Sequence, residues 1–223
     1  MNRSLVLGIA AMVFGGGLAI ADAKLERVAA RLEYNKTDGD FEIVFEATGG
    51  DLGLTALKVA APDGRIVLEF TARNTRLGIR TFRFETPEPK SMEILQGEYP
   101  AGVYTFTANT TAGTTLTSTA KLSHELPPAA VIRRPLAGES QVPVKGLRVK
   151  WRAEKPANAY LLTIENDHTG VKVVQATLAA NVTSFAVPDG VLAPGTNYKI
   201  SIGTQQVEGN ATFVESTFRT VKK

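Results

Sequence analysis

The chain has 223 residues, 43% of them hydrophobic and 21% charged, with a net charge of +3, enough apolar content for two small cores or one larger one. It has no cysteine and two histidines, which excludes disulfide frameworks, zinc–thiolate sites, cysteine nucleophiles and lipid-modified cysteines. Neither a phosphate loop nor a dinucleotide fingerprint occurs, so no cofactor and no nucleic-acid partner is expected.

The chain opens with Arg3, an apolar run from Leu5 to Ile20 broken by Gly15-Gly16-Gly17, and the small-x-small stretch Ala21-Asp22-Ala23. This order reads as a secretory signal peptide over residues 1–23, with the mature chain beginning at Lys24. The run is short for a membrane span, so none is expected after cleavage. A short leader with no cysteine behind it predicts a bacterial exported protein, periplasmic or secreted.

Residues 24–126 read as strands almost throughout. Phe41, Ile43 and Phe45 alternate with Glu42, Val44 and Glu46, the period of a half-buried strand. Leu57 and Val59 lead into the turn signal Pro62-Asp63-Gly64, and Ile66, Leu68 and Phe70 return from it as a hairpin. Phe82 and Phe84 alternate with Arg83 and Glu85. Pro100-Ala101-Gly102 introduces Tyr104, Phe106 and Ala108, and Leu116, Ala120 and Leu122 come back beyond Ala112-Gly113. No segment carries a helical period. Leu126-Pro127-Pro128-Ala129-Ala130 interrupts the pattern, because consecutive prolines fit neither a helix interior nor a central strand. A domain boundary is expected there, at a semi-rigid joint that allows a limited range of orientations.

Residues 127–223 continue with an edge strand near Pro135 and Pro143, then Leu147, Val149 and Trp151 alternating with Arg148, Lys150 and Arg152. Tyr160, Leu162 and Ile164 form the next strand, and Asn166 to Gly170 its turn. Val171 to Val174 and Thr183 to Val187 follow, and Ser216 to Val221 closes the sheet, giving seven short strands. Between the last two lies Leu192-Ala193-Pro194-Gly195-Thr196-Asn197-Tyr198. Here a strand with Tyr198, Ile200 and Ile202 on one face starts directly after a tight turn, so Tyr198 can bury its ring and turn its hydroxyl back to the corner backbone.

Trp151 with Val149 and Leu147, Tyr160 with Leu162, the Leu192-x-Pro194-Gly195-x-x-Tyr198 corner and the closing Ser216 to Thr220 resemble a fibronectin type III domain. The resemblance implies strand B for Trp151, strand C for Tyr160 and strand F for Tyr198, and a spacer or binding module; no Arg-Gly-Asp tripeptide is present. Pro100-x-x-x-Tyr104 repeats the spacing of Pro194-x-x-x-Tyr198, and Phe41-x-Ile43-x-Phe45 repeats the pattern of Leu147-x-Val149-x-Trp151. The first half therefore reads as a related sandwich without the strand B tryptophan, its strand order left open. The expected fold is all-β: two tandem immunoglobulin-like β-sandwiches, residues 24–126 and 127–223, behind the leader.

Few residues point to chemistry. Without a Gly-x-Ser-x-Gly elbow or a cysteine, His124 and His168 read as loop residues. Asp38-Gly39-Asp40 reads as a solvated turn rather than a calcium loop. Sequons at Asn35, Asn109 and Asn181 carry little weight in a threonine-rich β protein, and the threonines from Thr105 to Thr119 suit strands on structural grounds alone. Asp38, Asp40, Glu42 and Glu46 raise the one catalytic alternative, an envelope hydrolase using paired carboxylates, but a sandwich edge is expected to offer no deep cleft.

Charge goes further. Lys24 to Leu126 carries 12 basic and 14 acidic residues, whereas Pro127 to Lys223 carries 12 and 7, so the second half is the candidate for anionic partners. If Leu147, Val149 and Trp151 point inward, Arg148, Lys150 and Arg152 point outward together, about 6.6 Å apart along one strand. The expected function is a non-catalytic binding or scaffolding protein of the cell envelope, with this stripe contacting an unknown acidic protein, an anionic envelope polymer or the first domain.

Overall fold

The computed structural model describes residues 23–72, 76–154 and 157–222; the expected leader, apart from Ala23, lies outside them. The first half forms β1 (Arg27–Asn35), β2 (Asp40–Thr48), β3 (Leu54–Ala60), β4 (Ile66–Thr71), β5 (Thr81–Glu85), α1 (Met92–Glu98), β6 (Gly102–Thr110) and β7 (Thr115–Leu122). The second forms β8 (Val131–Arg134), β9 (Glu139–Val142), β10 (Arg148–Arg152), β11 (Ala159–Asn166), β12 (Lys172–Ala179), β13 (Ser184–Ala186), β14 (Asn197–Gln205) and β15 (Ala211–Thr220).

Each half is a sandwich of three strands against four. In the first, β5-β2-β1 faces β4-β3-β6-β7; in the second, β13-β10-β8 faces β12-β11-β14-β15. Counted from the start of each half and setting β9 aside, the order is the same, which settles the strand order that the sequence left open. Both are fibronectin type III-like sandwiches. The inward residues build two separate cores. Ile43, Phe45, Leu57, Tyr104 and Phe106 belong to one, and Val149, Trp151, Tyr160, Tyr198 and Ile202 to the other. Alternation explains these faces: side chains two apart share a face, so Val149 and Trp151 are buried while Arg148, Lys150 and Arg152 are exposed.

Three features differ from the expectation. A short helix, α1, stands between β5 and β6, opened by Ser91, whose Oγ accepts the Ile94 N–H at 3.4 Å, and anchored by buried Leu95; seven residues are too few to display a helical period. The second half has eight strands, because β9 lies parallel along the end of β15. The closing strand begins at Ala211 rather than Ser216.

Its early start matters for the whole molecule. Residues Ala211, Thr212 and Phe213 of β15 pair in parallel with Glu33, Tyr34 and Asn35 of β1, so the four-stranded sheet of the second sandwich runs on into the three-stranded sheet of the first. The Lys36 N–H donates to the Phe213 carbonyl at 2.9 Å and the Glu215 N–H to Thr37 Oγ1 at 2.8 Å. Buried Asn210 accepts the Leu32 N–H at 2.8 Å. Its Nδ2 donates to the Ser123 carbonyl and hydroxyl, both at 3.0 Å, and to the Glu125 carbonyl at 2.8 Å. The joint is thus a shared sheet with a side-chain clamp beside it, in addition to the proline pair.

Candidate functional site

Edge-to-edge pairing of β1 with β15 makes one long sheet face. A cavity of about 650 Å³ lies on it, floored by the outward residues of β1, β2 and β5 on one side and of β11, β12, β14 and β15 on the other. Its lining holds eight carboxylates, Glu33, Asp40, Glu42, Glu46, Glu85, Glu88, Glu165 and Glu215, against four cations, Arg31, Arg83, Lys172 and Lys199. The expectation concerned a deep cleft at a sandwich edge, whereas this cavity lies on the face of the joined sheets. The groove spans the place where the two sheets join, with lining residues from both sandwiches. The ring of Phe213, one of the lining residues, lies over Gly203, where a Cβ would collide with it.

The acids are tied into a network. Arg31 donates through Nε to Glu33 at 2.8 Å and through Nη2 to Glu46 at 3.0 Å, and Arg83 Nη1 reaches the same Glu46 oxygen at 2.7 Å. The hydrogen bond from Arg31, then that from Arg83, holds the Glu46 carboxyl down at about 2 against the opposing effect of burial. Glu42 stands directly across from Glu33 on the paired strands. Burial, then the Glu33 charge, push its carboxyl up to about 7. Across the joint, Lys199 Nζ lies 3.1 Å from Glu165 and 3.4 Å from Glu215.

Several of these acids are engaged by neighbouring groups. Glu33 and Glu42 face each other across β1 and β2 as direct partners. Glu46 is occupied by two guanidinium groups. Asp40 is paired with Lys90 at 3.0 Å, and Asp38 accepts from Asn35 at 2.8 Å in a turn closed by Gly39 at φ 72°, a conformation that suits glycine.

The basic stripe lies on the opposite sheet of the second sandwich. Arg148, Lys150 and Arg152 share the outer face of β10, and Arg134 of β8 stands beside Lys150, making four cations where three were expected. A register shift between Lys150 and Trp151 brings Arg134 there, and nothing in the sequence marks it. Arg148 donates to Ser184 Oγ at 3.4 Å, Arg134 lies 3.1 Å from Glu139, and Arg152 pairs with Glu154. Among the described residues Lys150 has no ion-pair partner, and no ion pair joins the stripe to the first sandwich. Exposed charges in a row reinforce one another's field within a Debye length of about 8 Å.

Trp151, Tyr160, Leu192 and Tyr198 serve the core of the second sandwich. The Trp151 and Tyr160 rings meet edge to face at 5.4 Å, and Leu192 is buried while Pro194 is exposed at the corner. Tyr198 Oη accepts the Ala193 N–H at 2.8 Å, and its ring stacks on Phe218 at 5.6 Å. Tyr104 forms a second corner in the reverse sense, donating to the Pro100 carbonyl at 3.0 Å. His168 sits in an exposed turn, but His124 is half-buried with Nε2 at 2.8 Å from the Tyr99 carbonyl, so it is not a solvated loop residue. Asn210, Arg31 and Arg83 escaped the sequence reading. Arg31-x-Glu33 and Arg83-x-Glu85, mixed charges at outward strand positions, were the available signal for two of them.

No protein-family model matches the chain, and no curated protein matches it. Among solved structures it is similar to a segment of two fibronectin type III domains from chicken tenascin, at 12% identity and TM-score 0.34, covering 89% of this chain and 98% of that one. It is also similar to fibronectin(III)-like modules of CbhA from Clostridium thermocellum, at 10% identity and TM-score 0.36, covering 90% and 93%. A third likeness is to the BSP domain of a biofilm associated protein, at 15% identity and TM-score 0.29, covering 88% of this chain and 29% of that one. Overlaps at this level decide nothing by themselves, and the fold is read from the strand order and the two cores.

Proposed function

We propose that the chain is a non-catalytic binding or scaffolding module, exported to the cell envelope, that presents the outer face of β10 and β8 to an anionic surface. One observation carries the reading: Arg134, Arg148, Lys150 and Arg152 lie side by side on one small sheet face, with Lys150 unpaired among the described residues. A face kept only for solubility mixes signs. Here the cations of neighbouring strands repel one another at a cost that an anionic partner relieves. Glu139 and Glu154 offset part of the charge from the rim. Export rests on the leader pattern and predicts a native chain beginning at Lys24 by mass spectrometry.

The test is charge reversal of Arg148, Lys150 and Arg152 to Glu. Exposed charges contribute little to stability, so the denaturation midpoint should move by less than about 1 kcal/mol equivalent. Retention on an immobilised polyanion such as polyglutamate should be lost, and the parent's retention should fall as salt rises. Equal retention of variant and parent at every salt concentration would reduce the stripe to a solvated strand face.

A further inference from the structure

We infer that the partner of the basic face is the acidic groove of a second copy of this chain, so that copies associate head to tail. The inference rests on reading the basic face as an anion-seeking surface, and it names the anion. Two observations support it. The groove lining holds eight carboxylates against four cations, with Lys90 and Arg27 pairing with Asp40 and Glu46 from outside it, and the face of β10 and β8 carries four cations whose ion-pair partners among the described residues are Glu139 and Glu154. The signs are complementary. The stripe is a row of long side chains on the outer face of β10 with Arg134 of β8 beside it, and among the described residues Lys150 has no ion-pair partner to give up.

Within one molecule the two surfaces cannot meet. In the second sandwich the groove lies on the outer face of β11, β12, β14 and β15 and the stripe on the outer face of β10 and β8, so the core, about 10 Å thick, separates them back to back. A contact between them is therefore between copies, and it uses different patches on the two partners. Such a contact leaves one free groove and one free stripe on every pair, and it propagates unless the rotation closes a ring. Because the first sandwich supplies Glu33, Glu42, Glu46 and Glu85 to the groove, the assembly also needs both halves of the chain held by their shared sheet.

Sedimentation equilibrium of the mature chain from micromolar to millimolar concentration tests this. At low salt the average mass should climb past that of a dimer, and at high salt association should weaken roughly tenfold or more, as expected for contacts between exposed charges. A stripe variant, Arg148→Glu with Lys150→Glu and Arg152→Glu, and a groove variant, Glu85→Lys with Glu88→Lys at two exposed positions, should each stay monomeric. Mixed in equal amounts, they should form a one-to-one pair and stop, because one contributes only a groove and the other only a stripe. That pairing also shows that both variants are folded. A wild-type chain that stays monomeric at low salt and millimolar concentration, a mass that plateaus at a dimer, or a mixture that fails to pair while both variants melt like the parent overturns the inference. If the wild type stays monomeric while the stripe variant alone loses polyglutamate retention, the head-to-tail contact fails and the anion-seeking face stands.

Discussion

Two side chains carry most of what can be tested one residue at a time. Tyr198→Phe removes only a hydroxyl, but that hydroxyl accepts the Ala193 N–H, and the donor is left without its partner at the corner. A loss of about 1 kcal/mol is expected, read as a shift of the urea midpoint, and an unchanged midpoint would mean the corner is held by ring packing alone. Glu42 tests the groove. Its carboxyl rises from 4.5 to about 7, so between those values the folded chain binds more protons than the unfolded one and stability falls as pH rises. Glu46, held at about 2 instead of 4.5, acts in the other direction, with stability present above 4.5 and lost as pH falls toward 2. Glu42→Gln should therefore be more stable than the parent above pH 7, on the order of 1 kcal/mol once solvent screening is allowed for, and no more stable below pH 4.5. Equal stability above pH 7 would show that Glu33 and Glu42 do not oppose each other.

At the scale of elements, what the sequence shows depends on whether one face of a strand is apolar. Phe41-x-Ile43-x-Phe45 and Leu147-x-Val149-x-Trp151 alternate cleanly, and the structure buries the same residues. The closing strand reads short because its first residues do not follow that rule. Inward Thr212 and Ser216 are polar, and outward Phe213 is apolar because it covers Gly203. The helix is hidden by its length, and β9 by the prolines around it. Half of the candidate surface was legible on the same grounds, since the direction of Arg148, Lys150 and Arg152 follows from that of their neighbours. The other half was not. Arg134 joins them through a register shift, and the groove needs β1 to find β15, a pairing between strands that each look complete within their own sandwich.

For the whole molecule, the decisive contact is the one between halves. Asn210 satisfies the Leu32 amide and the carbonyls of Ser123 and Glu125 in a site almost without solvent. Asn210→Ala strands those groups, with an expected loss of about 2 to 3 kcal/mol, and it should separate one calorimetric transition into two as the sandwiches lose their common clamp. A single transition at the parent's temperature would leave β1 and β15 as the sole connection that matters. The same pairing sets a schedule for synthesis. The ribosome has delivered every strand of the first sandwich once Leu122 has emerged, yet the outer edge of β1 waits for residues that come far later, as the 178 positions between Leu32 and Asn210 measure. Throughout that wait the nascent chain exposes bare amide and carbonyl groups, a template for any passing strand. A message truncated between codons 122 and 211 would therefore yield a finished sandwich with an open edge, and insoluble aggregate rather than a soluble half-protein is its expected fate.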